Sequence, residues 1–153
     1  MCVNDELKEL IYRFFFAFSR LEFALKEEGF HHRDRYGSAQ PDWKRFINQY
    51  QGDYVLCESA IRLLRNPPRK QIINRNGDLS WRDLTFNPNC SELKKISLLI
   101  RAVRNNLFHG GKHGERSWDD PDRVRFLLEN SLEVMDSIAD LGVDIRSHYR
   151  NEY

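Results

Sequence analysis

The feature that most constrains this chain is an apolar series near its start: Leu7, Leu10, Ile11, Phe14, Phe18, Leu21 and Leu25. The spacing is that of about 3.6 residues per turn, and only a helix gathers such residues on one face. Asn4 is a good N-cap, Asp5 and Glu6 suit the positive helix start, and Gly29 can end it. The pattern therefore predicts a helix over residues 5–28. Tyr12, Phe16 and Phe23 form a second apolar face, roughly opposite the first. A surface helix needs a single stripe, so the second face must meet more of the chain or another molecule.

Three further helical regions follow. Trp43, Phe46, Ile47, Tyr50, Tyr54, Cys57, Ile61 and Leu64 stay in phase across Gly52, so residues 41–65 form one kinked helix or two short ones. Asn66-Pro67-Pro68 stops that region. Residues 69–90 lose the helical period and read as a small β-hairpin around Asn76-Gly77. A long helix over 92–109 starts at the Ser91 cap and ends at Gly110-Gly111. The last begins at Asp120-Pro121 and carries Val124, Leu127, Leu128, Leu132, Met135 and Ile138 to about Leu141-Gly142. The polar tail 142–153 is expected to fray. The fold expected is all-α: an antiparallel helical bundle of four to five helices, spanning about 4–141, with a small β-hairpin or loop excursion. One domain over 1–153 is long enough for a core without disulfides or metal.

Aromatic residues are plentiful, with 10 Phe, 6 Tyr and 3 Trp, which argues against disorder. There is no run of ~18 apolar residues, so no membrane partner is expected. The stretch MCVNDELKEL has neither the basic flank nor the apolar core of a secretory signal. Cys2, Cys57 and Cys90 are an odd set without a CxxC pair, and free thiols in a reducing cytoplasm are expected. The net charge of +1 hides a strong segregation. Residues 62–82 carry six cations against Asp78, and residues 94–116 carry six against Glu115. Residues 117–153 carry nine acids against four arginines. Such separation can steer a polyanion to one face, although a solvated helical surface often alternates charge too.

The segment 92–109 is the most informative. Ile96, Leu99, Ile100, Val103 and Leu107 mark its core side. Arg101, Arg104, Asn105 and His109 lie opposite, with Leu98 and Phe108 among them. Full solvation would not call for Leu98 and Phe108, and full burial would not tolerate two unpartnered arginines. A partly covered surface, such as a dimer interface enclosing a polar pocket, suits this mixture. Arg104 and His109 are about 140° apart on an ideal helix and converge only if its end loosens, which Gly110-Gly111 permits.

The run Arg104-Asn105-Asn106-Leu107-Phe108-His109 resembles the signature of the HEPN superfamily: Arg, a polar residue, three variable positions, then His at the end of a long helix. The apolar stretch FSRLEFALKEEGF before it and the amphipathic helix after it resemble the same context. The segment from Asn66-Pro67-Pro68-Arg69-Lys70-Gln71 to Trp81 also resembles a subgroup of stand-alone bacterial HEPN proteins. The resemblance implies an RNase acting as a homodimer whose paired motifs share one cleft, found among toxins, phage-defence effectors and RNA-processing factors. It implies Arg104 and His109 as the catalytic pair, Asn105 as the accompanying polar residue, RNA as substrate and an antitoxin or inhibitor protein as a partner. A subgroup with nucleotidyltransferase antitoxins carries a Tyr two residues after the His. Gly111 stands there in this chain, which puts that mode of control in doubt. Other members bind nucleotides or partners without catalysis.

These residue types fit the chemistry. RNA carries its own nucleophile, the 2′-hydroxyl, and cleavage needs a base, an acid and a cation for the phosphorane charge. An imidazole serves as acid or base near neutrality, and a guanidinium binds two phosphate oxygens while staying charged. Asn105 could orient the His or hold a phosphate oxygen. Arg101, Lys112 and His113 are further phosphate ligands by position, and Glu22, at the margin of the first apolar stripe, is a candidate to orient an arginine. No metal or cofactor is expected: His109 and His113 have i,i+4 spacing, but glycines interrupt it and no third ligand is near. Against catalysis stands a plainer role for His109, capping a helix C-terminus. The plainer reading of Glu22, a structural ion-pair partner, is the stronger one, and His31-His32 fall in a polar loop. A non-catalytic nucleotide- or RNA-binding module and a helical scaffold are the competing functions.

Overall fold

Asn4 starts the first helix by accepting the Leu7 amide on its side chain at 2.8 Å. In a computed structural model that describes residues 4–109 and 120–151, this helix, α1, spans Asp5–Glu27. Gly29, at φ +85°, closes it. Its amide bonds to the Lys26 carbonyl and that of Phe30 to the Leu25 carbonyl, a left-handed glycine terminus that turns the chain sharply. Phe30 is thereby driven into the core.

The next segment corrects the reading of HHRDRYGS as a loop. His31–Arg33 (β1) and Ala39–Pro41 (β2) pair antiparallel. The Asp34 carboxylate organises the turn by accepting the amides of Tyr36 and Ser38, each at 2.9 Å. Those bonds, the one from Ser38 foremost, hold its pKa below the ordinary aspartate value. The region 41–65 is two helices, Trp43–Tyr50 (α2) and Glu58–Arg65 (α3). Between them Tyr54 is buried, and its hydroxyl lies 3.0 Å from the Ser137 hydroxyl.

Arg69–Ile73 (β3) and Leu79–Asp83 (β4) form the second hairpin. Gly77 takes φ +85° as an Asn-Gly turn suggests. The register nevertheless leaves the five residues 74–78 in the loop, where Asn74 Oδ1 accepts the Asn76 and Asp78 amides. Helix α4, Glu92–Phe108, is capped by Ser91, and α5, Pro121–Ala139, by Asp120 with proline in its first turn. The described residues thus hold six helices and two hairpins, against the four or five helices expected. None of these helices is long and apolar enough to cross a membrane.

The tail is the clearest departure from expectation. Val143–Arg150 forms a helix, α6, that packs along α1. Ile145 is buried, the Tyr149 hydroxyl donates to Asp136 at 3.0 Å, and His148 Nε2 meets Glu28 at 2.9 Å. Phe23 packs against the His148 ring, and the Arg20 guanidinium donates to the His148 carbonyl oxygen. Gly142 permits the approach, because a Cβ there would lie 3.1 Å from the Tyr50 hydroxyl. One part of the second apolar face of α1 is therefore met by the chain itself. Tyr12 and Phe16 remain 64% and 51% exposed.

The core joins Phe14, Leu21 and Leu25 of α1 to Ile96, Leu99 and Val103 of α4 and Leu127, Leu128 and Ile138 of α5. Burial pushes the Tyr54 hydroxyl up to about 12, and burial followed by the Asp136 charge raises Tyr149 as well. A raised folded-state pKa favours the folded protein fully below the unfolded value of 10.0. That contribution disappears as pH climbs through about 12. Urea unfolding midpoints should fall steeply across this window, and the Tyr54→Phe/Tyr149→Phe double variant should lose part of that slope. Equal slopes would contradict the assignment.

Candidate functional site on helix α4

Helix α4 sends Leu93, Ile96, Leu99, Ile100 and Val103 into the core, as its period predicts. Asn106 joins them, a polar residue on the buried face that the sequence reading passed over. Its amide Nδ2 donates to the Arg69 carbonyl at 2.7 Å and so fastens β3 to α4. The helix ends at Phe108, and His109 leaves it with φ −88° and ψ 8°, its amide still bonded to the Asn105 carbonyl at 2.9 Å.

On the other face, the Arg104 guanidinium lies 4.9 Å from the Phe108 ring centroid and 5.9 Å from that of Phe18. Arg101 sits 5.8 Å from the Trp43 ring. Aromatic faces favour a cation there without neutralising it. Neither arginine makes an ion pair among the described residues. Arg104 Nη1 donates to Asn105 Oδ1 at 2.9 Å. Since a guanidinium has no acceptor, that fixes the amide orientation and leaves the Asn105 N–H pair to serve another acceptor. Glu22 accepts the Trp43 indole N–H at 2.8 Å. Its hydrogen bond thus goes to the ring that backs Arg101, and Glu22 lines the cleft that holds Arg101 and Arg104.

Two clefts flank this face. One, of about 400 Å³, is lined by Lys70, Gln71, Leu98 and His109 together with Arg101 and Asn105. The other, of about 300 Å³, is lined by Glu22, His32, Trp43 and Arg104, again with Arg101 and Asn105. Arg101 and Asn105 form the shared wall. Within one chain, Arg104 and His109 therefore open onto neighbouring clefts on either side of it. His32, set aside in the sequence as part of a polar loop, reaches the Arg104 cleft because the first hairpin folds against α1. Lys70 and Gln71 reach the His109 cleft from the second hairpin. Lys112 and His113, with Gly110 and Gly111, lie outside the described residues. Among the described residues, no group of three or more His, Cys, Asp or Glu is placed to hold a metal ion.

An apolar patch borders the arginines. Phe108 is 64% exposed and meets Phe15 edge-on at 6.5 Å, while Tyr12 and Phe16 stack at 6.2 Å on the same helix α1. Exposed aromatic rings thus lie beside two cations that make no ion pair among the described residues. No protein-family model, curated protein or solved structure matches this chain.

Proposed function

We propose that this protein is a metal-independent endoribonuclease of the HEPN type, acting as a homodimer through Arg104, Asn105 and His109. The observation that carries the proposal is two guanidiniums that make no ion pair among the described residues: Arg101, on the wall shared with the Asn105 amide, and Arg104, in the cleft next to the one that the exposed His109 imidazole lines. Such a face is charged for a phosphodiester. Arg101 and Arg104 would take the non-bridging oxygens, and the Asn105 N–H pair would donate to one of them. His109 would take the 2′-hydroxyl proton in one protomer, while the second protomer's imidazole protonates the leaving 5′-oxygen. The new P–O2′ bond then replaces the P–O5′ bond, giving 2′,3′-cyclic phosphate and 5′-hydroxyl ends.

The dimer is part of the reading because Arg104 and His109 line different clefts in one chain. Apposition of two α4 faces through Phe108, Phe16 and Tyr12 would bring one protomer's arginine toward the other's histidine. In this reading the helices form an antiparallel bundle and the protein works in the cytoplasm as a toxin or defence effector with a cognate inhibitor. A second reading has its own support. Arg104 is already bonded to Asn105, and the separate clefts suit a module that binds RNA or a nucleotide without cutting it.

The deciding experiment incubates purified protein with tRNA and mRNA in EDTA and analyses the product ends. Cleavage with cyclic phosphate and 5′-hydroxyl ends is expected. Salt-sensitive binding without cleavage favours the second reading. Abolition of cleavage by EDTA defeats the proposed mechanism, and a strict monomer by light scattering at micromolar protein defeats the shared site.

A further inference from the structure

Helix α4 is one wall of the His109 cleft, and the second hairpin supplies another through Lys70 and Gln71. The register of that hairpin sets Lys70 directly opposite Arg82. Both side chains are exposed, and neither makes an ion pair among the described residues. Like charges facing each other across an antiparallel ladder destabilise it. The adjacent pair shows what the ladder does when stability alone is at stake: Arg69 opposes Asp83 and binds it at 2.9 Å. The hairpin is also held rigidly at its base. Asn106 anchors the Arg69 carbonyl, and Arg123 on α5 donates to the carbonyls of Asn66 and Pro67 at 2.9 and 3.0 Å.

An unfavourable cation pair kept on a well-anchored arm beside a cationic cleft has one simple use. We infer that the second hairpin is an RNA-binding arm, on which Lys70 and Arg82 together grip the backbone of single-stranded RNA leaving the His109 cleft. A phosphate lying between the two ammonium and guanidinium groups turns their repulsion into a bidentate anion site. Lys70 belongs to the cleft and Arg82 lies beside it, so the arm continues the cleft outward. Five residues at ~3.3 Å each give a strand ~16 Å long, enough to run beside several nucleotides of a stacked strand at ~3.4 Å of axial rise each. The contact is to phosphates, so it adds affinity and sets the direction of the RNA without reading its bases. The inference rests on the proposed function only in taking RNA as the ligand of the cleft. It needs no cleavage.

The test measures binding of a fluorescein-labelled single-stranded oligonucleotide with 2′-O-methyl groups, which lacks the nucleophile, to the full chain across a salt series. Two lost phosphate contacts predict that Lys70→Gln/Arg82→Gln flattens the log–log salt dependence by ~1.4 and weakens binding about 10- to 30-fold near ~0.1 M salt. Its melting temperature should equal or exceed that of the wild type, because a repulsion has been removed. Arg82→Glu provides a second variant: it gives Lys70 an opposite charge, preserves the fold and should bind more weakly still. If both variants bind like wild type while Arg101→Gln weakens binding, the arm is overturned and the cleft stands. If wild-type protein binds no oligonucleotide, the arm and RNA as the ligand of the cleft are overturned together.

Discussion

If the proposed function holds, His109→Ala should lower the rate of RNA cleavage by about 10²- to 10⁴-fold and leave RNA affinity nearly unchanged. The size is that of losing a positioned proton carrier. The split between rate and affinity follows from the proposed site: phosphate affinity would reside in Arg101, Arg104 and Lys70, whereas His109 is exposed at the cleft margin and makes no ion pair among the described residues. Single-turnover cleavage and binding of an uncleavable oligonucleotide, measured on the same preparation, separate the two quantities. Arg104→Ala should behave differently, losing affinity and rate together, because in the proposed site its charge would meet the phosphate before and during reaction. Mixing the two inactive variants provides a sharper readout. If one cut uses both imidazoles, as proposed, mixed dimers hold a single His109 and stay inactive, whereas recovery of activity would mean that Arg104 of one protomer and His109 of the other suffice. A rate unaffected by His109→Ala means that the imidazole only caps the end of α4, and the nuclease reading fails with it.

Much of this architecture is written locally in the chain, and those parts were legible. Asn4, Ser91 and Asp120 cap helices through bonds to residues two or three positions on, and Gly29 ends α1 by its own left-handed backbone. The core side of α4 follows from period alone. What escaped was set by distant partners or by side-chain bonding to the backbone. The first hairpin is short and polar, and its turn is specified by the Asp34 carboxylate, which hydrophobic periodicity does not register. Helix α6 has little apolar pattern. It forms because Ile145 is buried in the core and His148 and Tyr149 find Glu28 and Asp136 across the fold. The unexplained second face of α1 was the available sign of that packing, since Phe23 needed a neighbour. At the site, the residues could be placed on one face of α4, but not the division of that face into two clefts by Arg101 and Asn105. That division depends on two hairpins arriving from either side.

Phe46→Ala destabilises the fold by about 3–5 kcal/mol, the usual cost of emptying a buried aromatic site. Phe46 is fully buried. Its ring lies 5.5 Å from that of Phe30, 6.2 Å from Trp43 and 5.1 Å from Tyr50, edge-on to the first two. Such pairs add about 0.5–1.5 kcal/mol each beyond the area they bury, and alanine loses all three. For a chain of this size the melting temperature should fall by about 6–20 °C. The effect also reaches the site. Phe30 accepts the Asp42 amide at 2.8 Å and so ties the first hairpin to α2, while Trp43 binds Glu22 and backs Arg101. Collapse around the vacated ring would shift both, so Phe46→Ala should weaken RNA binding even at temperatures where the protein stays folded. Phe108→Ala is the informative contrast, because its ring is 64% exposed. It should change the unfolding free energy of the monomer by no more than about 0.5 kcal/mol yet dissociate the proposed dimer. Urea unfolding of both variants, with light scattering, separates the two expected roles: support of the cleft by the aromatic cluster around Phe46, and contact with a second subunit, as proposed, by the exposed rings around Phe108. A loss below about 1 kcal/mol for Phe46→Ala would mean that the cluster repacks freely and does not position Arg101.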